Sequence, residues 1–122
     1  MTDRGVHLGL SRGERLRKRS AFLTAQARGR RRSGRDLVVY AFAPGDETAA
    51  AGGRLGVTVS KKVGKAVVRN RVKRWIRESY RLSGARPLST DVVVIAKPAA
   101  ATRGYHALAA ELNQLLLASK GL

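Results

Sequence analysis

Between Lys61 and Arg81 the chain reads KKVGKAVVRNRVKRWIRESYR: nine of these twenty-one side chains are Lys or Arg, and Glu78 is the acid opposing them. The chemistry open to such a segment is recognition of anions, not the making of bonds. A guanidinium presents a planar fork of donors that fits a phosphate bidentately and stacks on a base. Asn70, in the middle, both donates and accepts, which suits a base edge or a 2′-hydroxyl. Like charges three and four residues apart on a helix repel each other, so their concentration implies an external polyanion. Covalent chemistry has few candidates. The chain holds eight acids, two histidines and no cysteine. Disulfides, thiolate nucleophiles and cysteine zinc sites are thereby excluded. Asp36, Asp91 and Glu111 fall on separate predicted elements, and His7 and His106 lie far apart. No catalytic residue and no metal ligand is expected. Gly64-Lys65 runs into Ala66 and lacks the loop of a phosphate-binding P-loop.

The 122 residues are 43% hydrophobic and carry a formal charge of +17. That length suits one domain with one modest core. The charge works against a compact monomer and attracts polyanions, nucleic acid first and anionic membrane second. Residues 1–14 are polar and aperiodic, and are expected to form a flexible basic tail before a single domain over 15–122. The N-terminus has no apolar signal region. Runs such as Val92–Ala96 are far too short to span a bilayer. A cytoplasmic protein without a membrane role is expected.

The elements that must position the cations can be read from periodicity. The basic run Arg15–Arg19 leads into a short helix, with Ser20 as its cap, ending near Ala27 before Gly29. Phe22, Leu23 and Gln26 share one of its faces. Arg28–Arg35 forms a short strand or an extended loop. Asp36–Ala43 is apolar on both faces, Leu37, Val39 and Ala41 against Val38, Tyr40 and Phe42, so it reads as an interior strand. A turn at Pro44-Gly45-Asp46 and a loose connection over Ala49–Gly53 lead to the strand Arg54–Ser60. Leu55, Val57 and Val59 form its core face; Gly56, Thr58 and Ser60 form a smooth polar one. These two strands are expected to pair antiparallel. Lys65–Leu82 is a helix stopped by Gly84 and Pro87. Val68, Val72, Trp75, Ile76, Ser79 and Tyr80 fall on one stripe, with Trp75 the expected core anchor. Asn70, Arg71, Lys73, Arg74, Arg77 and Arg81 fall opposite, and Arg69 sits at the edge. Asp91–Ala96 is a β-branched strand closed by Pro98. A last helix carries Tyr105, Leu108, Ala109, Leu112, Leu115 and Leu116, with Thr102 as candidate cap. The order α-β-β-α-β-α, with an extra strand near Arg30–Ser33, makes an α+β two-layer sandwich on a small mixed sheet.

Ser60 to Arg74, SKKVGKAVVRNRVKR, closely resembles the signature of the bacterial ribonuclease P protein subunit. Its core is Arg69-Asn70-Arg71, followed by Lys73-Arg74 and Arg77. The resemblance extends over about residues 15–118. Arg15-Leu16-Arg17-Lys18, Phe22 and Gly29 resemble the family's first helix and its lead-in, and Tyr40 stands at the family's distance beyond them. Arg54–Ser60 looks like the strand entering the signature, and Asp91–Pro98 like the returning strand. The resemblance implies a left-handed β-α-β crossover, similar to the second domain of a small-subunit ribosomal protein, where the general rule favours right-handed. It implies a subunit that binds a large catalytic RNA and helps it remove the 5′ leader from precursor tRNA. Hydrolysis belongs to the RNA with Mg²⁺ held mainly by the RNA, and no obligate protein partner is implied. Lys61, Lys62, Lys65, Arg69, Asn70, Arg71, Lys73, Arg74 and Arg77 would dock on that RNA. The leader would lie in a cleft with Phe22, Tyr40, Thr58, Ser60, Arg17 and Lys18. Gln26 departs from the pattern, standing where a second aromatic is expected.

The residues alone support a stacking platform in that cleft, where an aromatic floor holds single strands. The alternative is that Tyr40 and Phe42 simply pack under a helix. Among functions, a ribosomal or general RNA-binding protein fits the same charge and size. A self-sufficient nuclease would need clustered carboxylates or histidines, and a membrane-surface protein would need a free apolar helix face.

Overall fold

The computed structural model describes residues 15, 16, 18–43, 53–87 and 89–120. The expected tail 1–14, Arg17, the Pro44-Gly45-Asp46 turn and most of the Ala49–Gly53 connection lie outside them. The elements are α1 (Arg19–Arg28), β1 (Arg30–Ser33), β2 (Leu37–Phe42), β3 (Arg54–Val59), α2 (Ala66–Leu82), β4 (Asp91–Ala96) and α3 (Tyr105–Lys120). Short 3-10 turns precede α2, at Lys61–Val63, and α3, at Pro98–Thr102.

The sheet order is β1-β2-β4-β3. The expected antiparallel pairing of the strand before Pro44 with the strand after Gly53 is therefore wrong. β4 lies between them, antiparallel to β2 and parallel to β3. The reason is visible in β4 itself. Val92, Val94 and Ala96 face one side, Val93 faces the other, and all four are buried. A strand apolar on both faces is stable in the middle of a sheet covered on both sides. β3, with a polar residue on one face, takes an edge. The parallel pairing needs a long crossover, and α2 supplies it.

α2 and α3 cover one face of the sheet. Their Val72, Ile76, Tyr80, Leu108, Leu112 and Leu116 form one core with Leu37, Val39, Leu55, Val92 and Val94. The other face is covered more thinly. Ala25 of α1 packs with Leu16 and Val93, flanked by Phe22, Tyr40, Phe42 and Ile95. The expected short strand is β1, antiparallel to β2.

Two caps differ from expectation. Lys18, not Ser20, is the N-cap of α1. The Leu16 N–H bonds the Leu55 carbonyl at 2.8 Å, and this tie to β3 sets where the chain can turn into the helix. Thr102 lies inside a 3-10 turn, and α3 starts after Gly104, whose φ is 88° and whose carbonyl accepts the Leu108 N–H. Gly29 ends α1 as expected, in extended conformation with its N–H on the Ala25 carbonyl. A Cβ there would lie 2.5 Å from that carbonyl oxygen and 2.9 Å from that of Ala41. Glycine is required by close backbone approach.

Candidate nucleic-acid interface

α2 begins after a tight turn at Gly64, whose φ is 155°. Lys65 is the N-cap without a side-chain cap bond, and the Arg69 N–H bonds its carbonyl at 2.9 Å. Val72, Ile76, Ser79 and Tyr80 are buried, with Val68 and Trp75 packed at the margin of the same core. The opposite face displays Asn70, Arg71 and Arg74 exposed, with Lys73 and Arg77 half-buried beside them. Lys61, Lys62 and Lys65 are exposed in the turn that leads into the helix. Each of the expected basic residues is thus at least partly exposed.

Individual side chains differ in their commitments. Arg69 donates from Nε to the Gly64 carbonyl at 3.1 Å, so it braces the turn as well as lying near the surface. Arg71 lies over the Trp75 ring, 5.9 Å from its centroid, which makes Trp75 a boundary residue, not the deep anchor expected. Tyr80 is the largest fully buried side chain. Arg81 pairs with Glu78.

Arg77 is the unusual one. Burial, and then the nearby Arg15 guanidinium, lower its pKa. Arg15 sits there because its backbone bridges Leu55 on the free edge of β3. A cation with a lowered pKa is less favourable in the folded chain than in the unfolded one, at any pH below the folded pKa. The Arg77 charge therefore opposes folding at neutral pH and favours an incoming anion. Arg77→Met is expected to leave the melting temperature unchanged or slightly raised while weakening RNA binding. A lowered melting temperature in a thermal scan would overturn this. Sequence periodicity placed Arg77 on the face but missed Arg15, because their contact is tertiary.

On the other side of the sheet, Phe22, Leu23, Gln26, Arg19 and Thr58 surround a cavity of about 420 Å³. The α1 residues keep the i, i+3, i+4, i+7 spacing, so one helix face lines the cleft. Arg19 belongs to it, a residue that spacing alone could have found. Phe22 reaches the sheet because β3 offers no side chain below it: a Cβ on Gly56 would meet Phe22 Cζ at 2.5 Å. Of the residues expected in the cleft, Phe22 and Thr58 line this cavity. Tyr40 is half-buried in the cluster beneath α1. Ser60 is exposed just past β3, and Lys18 is exposed at the start of α1.

The described carboxylates are drawn into structural bonds. Asp36 and Glu111, distant in sequence, meet in space: Glu111 Oε2 accepts the Asp36 and Leu37 N–H groups at 2.8 and 2.7 Å. Asp36 Oδ2 accepts from Arg103 at 2.8 Å. Asp91 accepts two bonds of 2.8 Å from Arg54. Among the described residues, no three His, Cys, Asp or Glu side chains gather as a metal site. No described helix is long and apolar enough to cross a membrane.

A basic helix face over a buried stripe, and an aromatic cleft across the sheet, define a small cationic α+β RNA-binding protein. The family model described as Ribonuclease P matches residues 10–120. The ribonuclease P protein component of Rhodococcus opacus is 47% identical over 107 residues, 84% of this chain and 86% of that protein. That of Thermobifida fusca is 45% identical over 114 residues, covering 89% and 78%. The RNase P protein of Staphylococcus aureus superposes with a TM-score of 0.77 at 33% identity, over 88% of this chain and 95% of that one. That of Thermotoga maritima gives 0.73 at 33% identity, over 86% and 96%. The chain belongs to the ribonuclease P protein family.

Proposed function

We propose that this chain, as the protein subunit of ribonuclease P, docks the exposed face of α2 on the catalytic RNA and holds the 5′ leader of precursor tRNA in the α1 cleft. The observation that carries this is the segregation on α2: Asn70, Arg71 and Arg74 stand exposed over a helix whose other face is buried. Phosphate contacts from such a face supply affinity and register. Arg19 and Phe22 on one side of the cleft and Thr58 on the other offer a charge, a stacking ring and a hydroxyl to a single strand. Gln26 lines that cavity too, so it contributes a hydrogen-bonding amide in place of a second ring.

Hydrolysis is assigned to the RNA with Mg²⁺ that the RNA holds. Asp91 and Glu111 support this, because Arg54 and backbone N–H groups already occupy them, and Asp36 is fully buried with one oxygen on Arg103. The compartment proposed is the cytoplasm.

The test is reconstitution. The chain is mixed with a bacterial ribonuclease P RNA and precursor tRNA at low Mg²⁺. Correct 5′ cleavage should exceed that of the RNA alone, and no gain would refute the proposal. Within this assembly, Gly56→Ala should push the Phe22 ring out of the cleft. Leader affinity should drop by about 1–3 kcal/mol, the scale of one stacked base, with affinity for the catalytic RNA unchanged. Equal loss with leaderless and leader-bearing tRNA would show that the cleft does not hold the leader.

A further inference from the structure

The cleft beside α1 points across the sheet. The lead-in to α1 is tied to β3, where the Leu16 N–H bonds the Leu55 carbonyl. The helix stops where Gly29 closes on the Ala41 carbonyl of β2. α1 therefore runs across the strands, and its flank of Arg19, Phe22, Leu23 and Gln26 leads from β3 toward β1. The sheet beneath is laid out in rows, because paired residues of neighbouring strands point to the same face. Thr58 stands beside Ile95, Ile95 beside Val38, and Val38 beside Ser33. The next row on that face is Gly56, Val93, Tyr40 and Arg31. From Thr58 to Ser33 is about 14 Å at the usual strand spacing.

β1, the outermost strand, ends both rows. Its side chains alternate between the two faces. Arg30 and Arg32 share the face of Ala41 and Val39, and Arg30 Nη1 donates there to the Ser119 carbonyl at 3.3 Å. Arg31 stands on the α1 face, opposite Tyr40. It is exposed, and among the described residues no hydrogen bond, ion pair or ring contact holds its guanidinium. Ser33 is exposed too, and its Oγ accepts from Lys97 Nζ at 3.0 Å, which leaves its own proton to donate. The described acids are held elsewhere: Asp36 by Arg103, Asp91 by Arg54, Glu78 by Arg81, and Glu111 on the backbone of Asp36 and Leu37. A cation on an edge strand also deters pairing with other sheets. That role is indifferent to the face that carries the charge, whereas Arg31 ends the row that begins under Phe22.

We propose that the 5′ leader crosses the whole sheet. It enters beside β3 at Thr58, passes Phe22 and Gln26, and leaves over β1, where Arg31 holds a backbone phosphate and Ser33 donates from its hydroxyl. This rests on the reading that the α1 cleft holds the leader. The direction follows from the helices. α2 packs on β3, and α3 on β1 and β2, so the helix that docks on the catalytic RNA lies at the β3 side of the sheet. The scissile bond stays with that RNA, and the stretch of leader on β1 is the one farther from it. Phosphate contacts position a strand without reading its bases. Arg31 thus sets how much of the leader the protein senses, not which bases it prefers.

The test reconstitutes the holoenzyme with a bacterial ribonuclease P RNA and titrates precursor tRNAs whose leaders are shortened stepwise from the 5′ end. Affinity should rise with leader length in two stages, one for the cleft and a later one for β1. Arg31→Gln should remove the later stage, about fivefold near 0.15 M salt for one phosphate, and Arg31→Lys should keep most of it. The shorter leaders, the affinity for the catalytic RNA and the melting temperature should not respond to Arg31→Gln. Because the chain has no cysteine, a photocrosslinker can be attached singly through Thr58→Cys or Ser33→Cys. From position 33 it should mark leader nucleotides farther from the cleavage site than those marked from position 58. Loss on Arg31→Gln that is equal for short and long leaders would overturn the crossing. So would no loss while Gly56→Ala still lowers leader affinity, and so would marks from position 33 that are absent or fall on the nucleotides marked from position 58. If the parent itself gains nothing from a leader of any length, the cleft reading fails, and the crossing fails with it.

Discussion

Replacing Arg71, Lys73 and Arg74 together by glutamine should lower affinity for the catalytic RNA on the order of 100-fold near 0.15 M salt, with one phosphate contact per side chain. Each lost contact removes roughly 0.7–0.9 from the slope of log affinity against log salt, so about two to three units of slope should disappear. Folding should hardly change, because Arg71 and Arg74 are exposed and Lys73 is half-buried. The one packing contact at risk is Arg71 over Trp75, worth about 0.5–1 kcal/mol at an exposed site. The measurement is a salt series of binding titrations with a thermal melt alongside. An unchanged slope would mean that α2 is not the docking face. A collapsed melt would mean that the face is structural.

Tyr80→Ala should do the reverse. Tyr80 is fully buried in the core between α2, α3 and the sheet. Truncating a buried aromatic costs about 3–5 kcal/mol, against a total stability of about 5–15 kcal/mol for a typical domain. The variant should be largely unfolded or melt far below the parent. It should then lose binding to every RNA for that reason alone. Trp75→Ala should cost clearly less, since Trp75 only flanks this core and keeps part of its surface in water. Denaturant titrations of the two variants compare them directly. Equal losses would restore Trp75 as the anchor.

That contrast shows how far helical periodicity carries. Spacing separated the stripe of α2 from its basic face, and burial agrees at Val72, Ile76, Ser79 and Tyr80. It could not rank Trp75 against Tyr80. Both lie on the stripe, and their depth depends on where α3 and the sheet stand. The strand Asp91–Ala96 was legible to its last residue, because its β-branched run ends at a proline. Its partners were not legible. Local alternation describes the two faces of a strand but not its neighbours, so the expected β2–β3 pair gave way to β4 between them.

The cleft was half legible. Phe22 and Thr58 line one cavity. Gly56 reads in sequence only as a gap, and its use, a floor for the Phe22 ring, needs the approach of α1. Asp36 and Glu111 show the same limit among the acids. They looked isolated because 75 positions separate them, yet Glu111 caps the backbone of Asp36.

The sequence by itself determined the kind of partner and the division of α2 into a buried stripe and a basic face. Charge balance and helix period are local properties, and Arg69-Asn70-Arg71 is a contiguous signature. Tertiary structure alone decided which cations share a field. Arg15 lies beside Arg77 because a backbone bridge holds it on the edge of β3. Such encounters depend on packing apolar surface between elements far apart in the chain, and no spacing along the chain records them.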